Sequence, residues 1–139
     1  MSKSTTDNMQ SVSSNAVYDY SQRKILLNES FNAGEKTLSE RADHFSLVII
    51  RVGAGGGRFM FTVNPEQIGL DTTFYVYGIG YNGSGLITSA NALAYVCHIG
   101  LRFRENYTKL YIVQRAYNDN NFAPSVVSVY GVGRVANNS

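Results

Sequence analysis

This chain of 139 residues has few of the side chains that most often carry chemistry: one cysteine, Cys97, and two histidines, His44 and His98. A single thiol excludes an intrachain disulfide. Cys97 sits in the apolar run Ala94-Tyr95-Val96-Cys97-His98-Ile99, which predicts a buried, unreactive thiol rather than a nucleophile. No His-x-x-His, no Cys-x-x-Cys and no clustered carboxylates offer ligand spacing for a metal, and no cofactor is implied. Charged residues make up 16% of the chain, and the net charge of +2 is too small to argue for nucleic acid or membrane. No apolar run approaches the length of a bilayer span. The opening Met1-Ser2-Lys3-Ser4-Thr5-Thr6 lacks the apolar centre of a signal peptide, so synthesis in a reducing cytosol is expected.

What is abundant points one way. Ten Tyr, seven Phe and thirteen Gly against two Pro is the mixture of short strands joined by tight turns. From His44 onward the apolar pattern has period two. Phe45, Leu47 and Ile49 alternate with Ser46, Val48 and Ile50, which makes both faces of this strand apolar. Phe59, Phe61 and Val63 follow after Gly53-Ala54-Gly55-Gly56-Gly57. A hairpin explains that glycine cluster better than a phosphate cradle, because Arg58 to Val63 is strand-like where a cradle needs a helix. Asn64-Pro65-Glu66 reads as a turn. Further strands are expected at Thr72–Ile79, Leu93–Ile99, Leu101–Glu105, Lys109–Tyr117 and Ser125–Val135, with Tyr75 and Tyr77 facing away from Phe74 and Val76. Seven or eight strands at intervals of about ten residues predict an all-β fold, an antiparallel β-sandwich of jelly-roll-like type.

Residues 1–43 read differently. Met1 to Gln10 is polar, and a tail of this kind orders only against a partner. Ser13 suits a helix N-cap, Arg23 and Lys24 suit the C-terminal end of the dipole, and Ala16, Val17 and Tyr20 share one face. A short N-terminal helix over Ser14–Lys24 is therefore expected. It is marginal alone and needs a partner for that face. Ile25-Leu26-Leu27 closes it or starts an extended arm, and Asn28 to Glu40 reads as a connecting loop, with a helical turn around Ser39–Asp43. The division expected is 1–43 for attachment and trimerisation and 44–139 for the β-sandwich.

The stretch Val12-Ser13-Ser14-Asn15-Ala16-Val17-Tyr18-Asp19 resembles a segment of tailed-bacteriophage fibre proteins, where it precedes a β-rich terminal domain. The resemblance covers about ten residues. It implies a virion appendage on tail or capsid, made in the host cytoplasm, that is a homotrimer with the β domain at its exposed tip. Val12, Ala16, Val17 and Tyr20 are then the expected trimer contacts, and other virion proteins the expected partners of the N-terminal segment.

Two functions follow. The first is binding of a host-surface receptor, a glycan, through loops of the sandwich. The second is a purely structural head-fibre or decoration role without a ligand. The residues expected to bind are Tyr81, Asn82, Arg102, Arg104, Tyr117, Asn118, Asp119 and Asn120: an arginine pair on one strand face, and polar loops flanked by tyrosines. Glu66, Asp71, Glu105 and Asp119 are the acids of the β block. Each falls at or near a turn where solvated carboxylates are common, so no catalytic residue is assigned and enzyme activity is not expected.

Overall fold

Alternation of inward and outward side chains along the long strands builds two four-stranded sheets. The computed structural model describes residues 23–81 and 94–135. Within them lie β1 (Lys24–Leu27), β2 (Gly34–Thr37), β3 (Phe45–Ala54), β4 (Gly57–Val63), β5 (Phe74–Tyr81), β6 (Ala94–Arg104), β7 (Lys109–Tyr117) and β8 (Ser125–Arg134). A one-turn helix α1 (Pro65–Ile68) and 3₁₀ turns at Ala42–His44 and Asn120–Phe122 complete the elements. One sheet has the order β1-β8-β3-β4 and the other β2-β7-β6-β5, with antiparallel pairing throughout. This is the expected all-β sandwich. We call the sheets the β3 sheet and the β6 sheet after their long inner strands.

The core fills the space between them. Val48, Ile50 and Val52 of β3 with Val126 and Val129 of β8 meet Ile99, Leu101 and Phe103 of β6 and Leu110 and Ile112 of β7. Phe74 and Val76 point inward from β5, as their alternation predicts. β3 is central in its sheet and apolar on both sides. Val48 and Ile50 are fully buried while Leu47 stands exposed on the outer face. Phe45 breaks the alternation by turning in over Gly131.

Several local expectations are corrected. The segment read as arm and connecting loop supplies two edge strands, β1 and β2, and the core residues Leu26, Leu27, Phe31 and Leu38. The sandwich thus takes in residues on both sides of His44. Lys24, expected to end a helix, opens β1. The remainder of the expected helix, with Ala16, Val17 and Tyr20, and the expected trimer contact Val12 lie outside the described residues. Leu93–Ile99 and Leu101–Glu105 are one continuous strand, β6, whose register shifts between Gly100 and Leu101. Asn64-Pro65-Glu66 is the start of α1, capped by the Asn64 side chain, which accepts from the Gln67 N–H at 3.2 Å, with Pro65 in the first turn. The glycine cluster does make a hairpin. Ala54 pairs with Gly57, leaving Gly55-Gly56 as a two-residue turn with φ of +59° at Gly55.

The register gives the molecule two unlike ends. At one end, the base, lie Arg23, Val135, the β2–β3 connection, α1 and the β6–β7 turn. At the other, the tip, lie the Gly55-Gly56 turn, the ends of β5 and β7 and the start of β6. The base is tied by charge. Glu40 receives Arg134 through two guanidinium nitrogens, His44 Nδ1 at 2.9 Å and Lys24 Nζ at 3.2 Å. Its carboxyl is held at about 2 against an ordinary 4.5, mainly by the Arg134 hydrogen bond. A carboxylate whose pKa is depressed by folding stabilises the fold above its unfolded value and loses that contribution as pH falls through the folded one. We therefore expect Glu40→Gln to lower the melting temperature at pH 6. The gap to the wild type should close between pH 4.5 and about 2 in a thermal melt series.

Candidate functional site

The outer face of the β6 sheet is where unusual side chains meet. Alternation along β5 turns Tyr75, Tyr77 and Ile79 outward, and the antiparallel register sets them beside Gly100, His98 and Val96 of β6. β7 continues the first two rows with Gln114 and Ala116. The result is a row of Tyr75, Gly100 and Gln114 next to a row of Tyr77, His98 and Ala116. Gly100 has a local reason. A Cβ there would lie 3.0 Å from Tyr75 Cε1 and 3.4 Å from Gln114 Cγ, so the ring lies across the bare backbone of its neighbour.

These groups touch. The Tyr75 and Tyr77 ring centroids are 6.3 Å apart, and the His98 imidazole stands edge-on to both at 5.5 and 5.7 Å. Gln114 Nε2 lies 3.2 Å from His98 Nε2. An amide nitrogen only donates, so His98 Nε2 is the acceptor of this contact. Beside them is a shallow depression of about 340 Å³ lined by Tyr77, Val96, His98, Ala116, Tyr117 and Asn118. Tyr77 keeps 63% of its surface exposed, an aromatic ring offered to solvent with a polar tip.

A second cleft, of about 540 Å³, opens at the tip between the Gly55-Gly56 turn, the end of β5 and the Asn120–Phe122 turn. Its apolar wall is Phe59, Tyr95 and Phe122, whose rings meet at 5.9 Å (Phe59–Phe122) and 5.6 Å (Tyr95–Phe122). Cys97 belongs to this small cluster. It is buried, and burial pushes its thiol above the ordinary range.

The residues expected to bind fall in two places. Cys97 pairs with Tyr117 and Arg102 with Tyr111, so the two groups lie five positions apart along β6, about 17 Å at a strand's rise per residue. At the tip, Tyr117 and Asn118 line the depression, and Asn118 also pins the start of β6. Its Oδ1 accepts from Val96 N–H at 3.0 Å, and its own N–H donates to the Val96 carbonyl at 3.2 Å. Asp119 caps the 3₁₀ turn through Asn121 N–H at 2.8 Å, a local structural task, while Asn120 is exposed. Tyr81 ends β5 opposite Ala94, and Asn82 lies outside the described residues.

Nearer the base, the two arginines differ. Arg104 is committed within the chain, to Glu35 at 3.4 Å, to Asp71 at 3.8 Å and over the Tyr111 ring at 4.8 Å. Arg102 donates through Nε to Thr73 Oγ1 at 2.6 Å and meets no carboxylate among the described residues. Sequence reasoning missed His98 and Gln114. The alternation that turned Tyr75 and Tyr77 outward was legible, but the cross-strand register that sets His98 between them was not.

Among the described residues no group of three or more His, Cys, Asp or Glu is placed to hold a metal ion. Fold and surface together define an antiparallel β-sandwich with an aromatic, hydrogen-bonding outer face. No protein-family model and no curated protein matches the chain.

Proposed function

We propose that the chain is the tip domain of a bacteriophage fibre, a homotrimeric virion component that binds a host-surface glycan with its β-sandwich. The observation that carries this reading is the polarity of the molecule. Arg23, where the N-terminal segment joins, lies at the base, and the aromatic depression and cleft lie toward the opposite end. A domain anchored through its N-terminus to a larger particle would hold those surfaces outward. The fibre-like segment from Val12 to Asp19 supports an anchoring role for residues before Arg23. The depression rather than the loops alone is the binding surface in this reading, which assigns assembly and binding to the chain and no catalysis.

The outer face of the β3 sheet supports self-association. Ile25, Leu47 and Met60 stand exposed there, Met60 with 72% of its surface in solvent. Aliphatic side chains of this kind suit burial against copies of the chain, with each copy covering another around a threefold axis. The full chain should sediment at three times its 15.3 kDa mass at micromolar concentration. Met60→Asp should shift it toward the monomer by placing a charge in the buried interface. A wild type that sediments as a monomer would defeat the trimer. A glycan array probed with the wild type separates the binding role from a purely structural one, since a decoration protein gives no reproducible ligand.

A further inference from the structure

We infer that the outer face of the β6 sheet reads an acidic polysaccharide, with Arg102 meeting a sugar carboxylate and the Tyr75 and Tyr77 rows stacking the neighbouring pyranose rings. This names the ligand class of the surface above and rests on the receptor-binding reading. Two arginines on one face of β6 differ in their partners. Arg104 has two carboxylates of its own chain, Glu35 and Asp71. Arg102, two residues away, has one neutral partner, the Thr73 hydroxyl, which takes its Nε. Its two terminal nitrogens have no protein partner among the described residues. That fork is the geometry that receives a carboxylate through two parallel hydrogen bonds, and the Nε contact to Thr73 fixes its plane beforehand.

The surroundings match the charge. Along β6 from Arg102 the outward positions are Gly100, His98 and Val96, flanked by Tyr75 and Tyr77, and none of them is acidic. An anion there meets one uncompensated cation and no repelling carboxylate in these rows. The strip from Arg102 to His98 runs about 13 Å, room for a short run of sugar rings. Its floor is low, because Gly100 carries no side chain and Ala116 a single methyl. Low floor and exposed rings suit the C–H faces of pyranoses, while His98 and Gln114 suit their hydroxyls.

The test is a panel of bacterial surface polysaccharides probed with the full-length wild type, sorted into carboxylate-bearing and neutral polymers, with polyglutamate alongside. Binding should be confined to the carboxylate-bearing sugars. Reducing the carboxyls of a bound polymer to alcohols should weaken it about 10- to 100-fold, the value of one charge-assisted pair. Arg102→Gln should lose the same factor on the native polymer and no longer distinguish it from the reduced one. Tyr77→Ala should weaken both polymers alike. Because carboxyl reduction acts on the ligand, the wild-type comparison stands even where a variant folds poorly. Equal binding of native and reduced polymer, or neutral hits alone, overturns the carboxylate assignment and leaves the receptor reading intact. Preference for polyglutamate over every sugar overturns the glycan in favour of an acidic protein segment. Binding to nothing on the panel overturns both readings.

Discussion

Phe103→Ala should cost about 3–5 kcal/mol of folding stability, measured by urea denaturation of the full chain. Phe103 is the largest of the fully buried side chains, with no exposed surface, and sits near the base end of β6, facing the core. It stacks on Phe74 of the neighbouring strand at 5.4 Å and meets the tilted ring of Tyr107 at 6.1 Å. Truncation removes the transfer energy of a benzyl group and leaves a void between two sheets whose hydrogen-bonded ladders resist moving together. Against the roughly 5–15 kcal/mol typical of a domain, that is a large share. Phe103→Leu, which keeps most of the volume, should cost clearly less. A loss under about 1 kcal/mol for the alanine variant would mean that the sheets collapse into the space, against this account of packing.

The second large effect has the opposite chemistry, the addition of one methyl group. Gly131→Ala should destabilise by about 1–3 kcal/mol, because a Cβ at Gly131 would lie 2.6 Å from two atoms of the Phe45 ring. The ring turns inward at the base and packs under the Arg134 guanidinium at 4.9 Å, so it has little room to retreat. The sign is what makes the test useful. Glycine to alanine at an ordinary backbone position stabilises by about 0.4–1 kcal/mol, since it restricts the unfolded chain. Gly131 has no left-handed φ, so its cost comes from the clash alone. Gly56→Ala is the control: its Cβ would meet nothing within 4 Å, and it should be neutral or slightly stabilising. Denaturant midpoints that move the same way for both variants would remove Phe45 as the cause.

The architecture was legible because long strands with one buried face print their period into the sequence. β3, β5 and β7 were found from alternation, and the first hairpin from its glycines. β1 and β2 were not, for a physical reason. Each has four residues, and β2 reads Gly34-Glu35-Lys36-Thr37, an edge strand whose ladder to β7 comes from backbone groups that have no sequence signature. Gly100 looked like a break because a strand interior disfavours glycine. The Tyr75 ring supplies the missing cover from the next strand, a relation between residues 25 apart in sequence. The binding surface was hidden for the same reason. Arg102 and Arg104 look equivalent along β6, and only the partners brought by β2 and the connection before β5 separate a committed arginine from an available one.

The position of β1 has a mechanical meaning. The strand runs from the base toward the tip, antiparallel to β8, with Lys24 opposite Gly131 and Leu27 opposite Val129. A particle pulling on the chain at Arg23 while the tip is held by a cell surface would load β1 along its own axis. In that direction the hydrogen bonds to β8 resist in shear and must give way together, whereas a sideways pull would peel them one at a time. The buried Leu26 and Leu27 and the Lys24–Glu40 ion pair share that load. In the proposed fibre, this four-residue edge strand would be the tether through which drag on the particle reaches the cell.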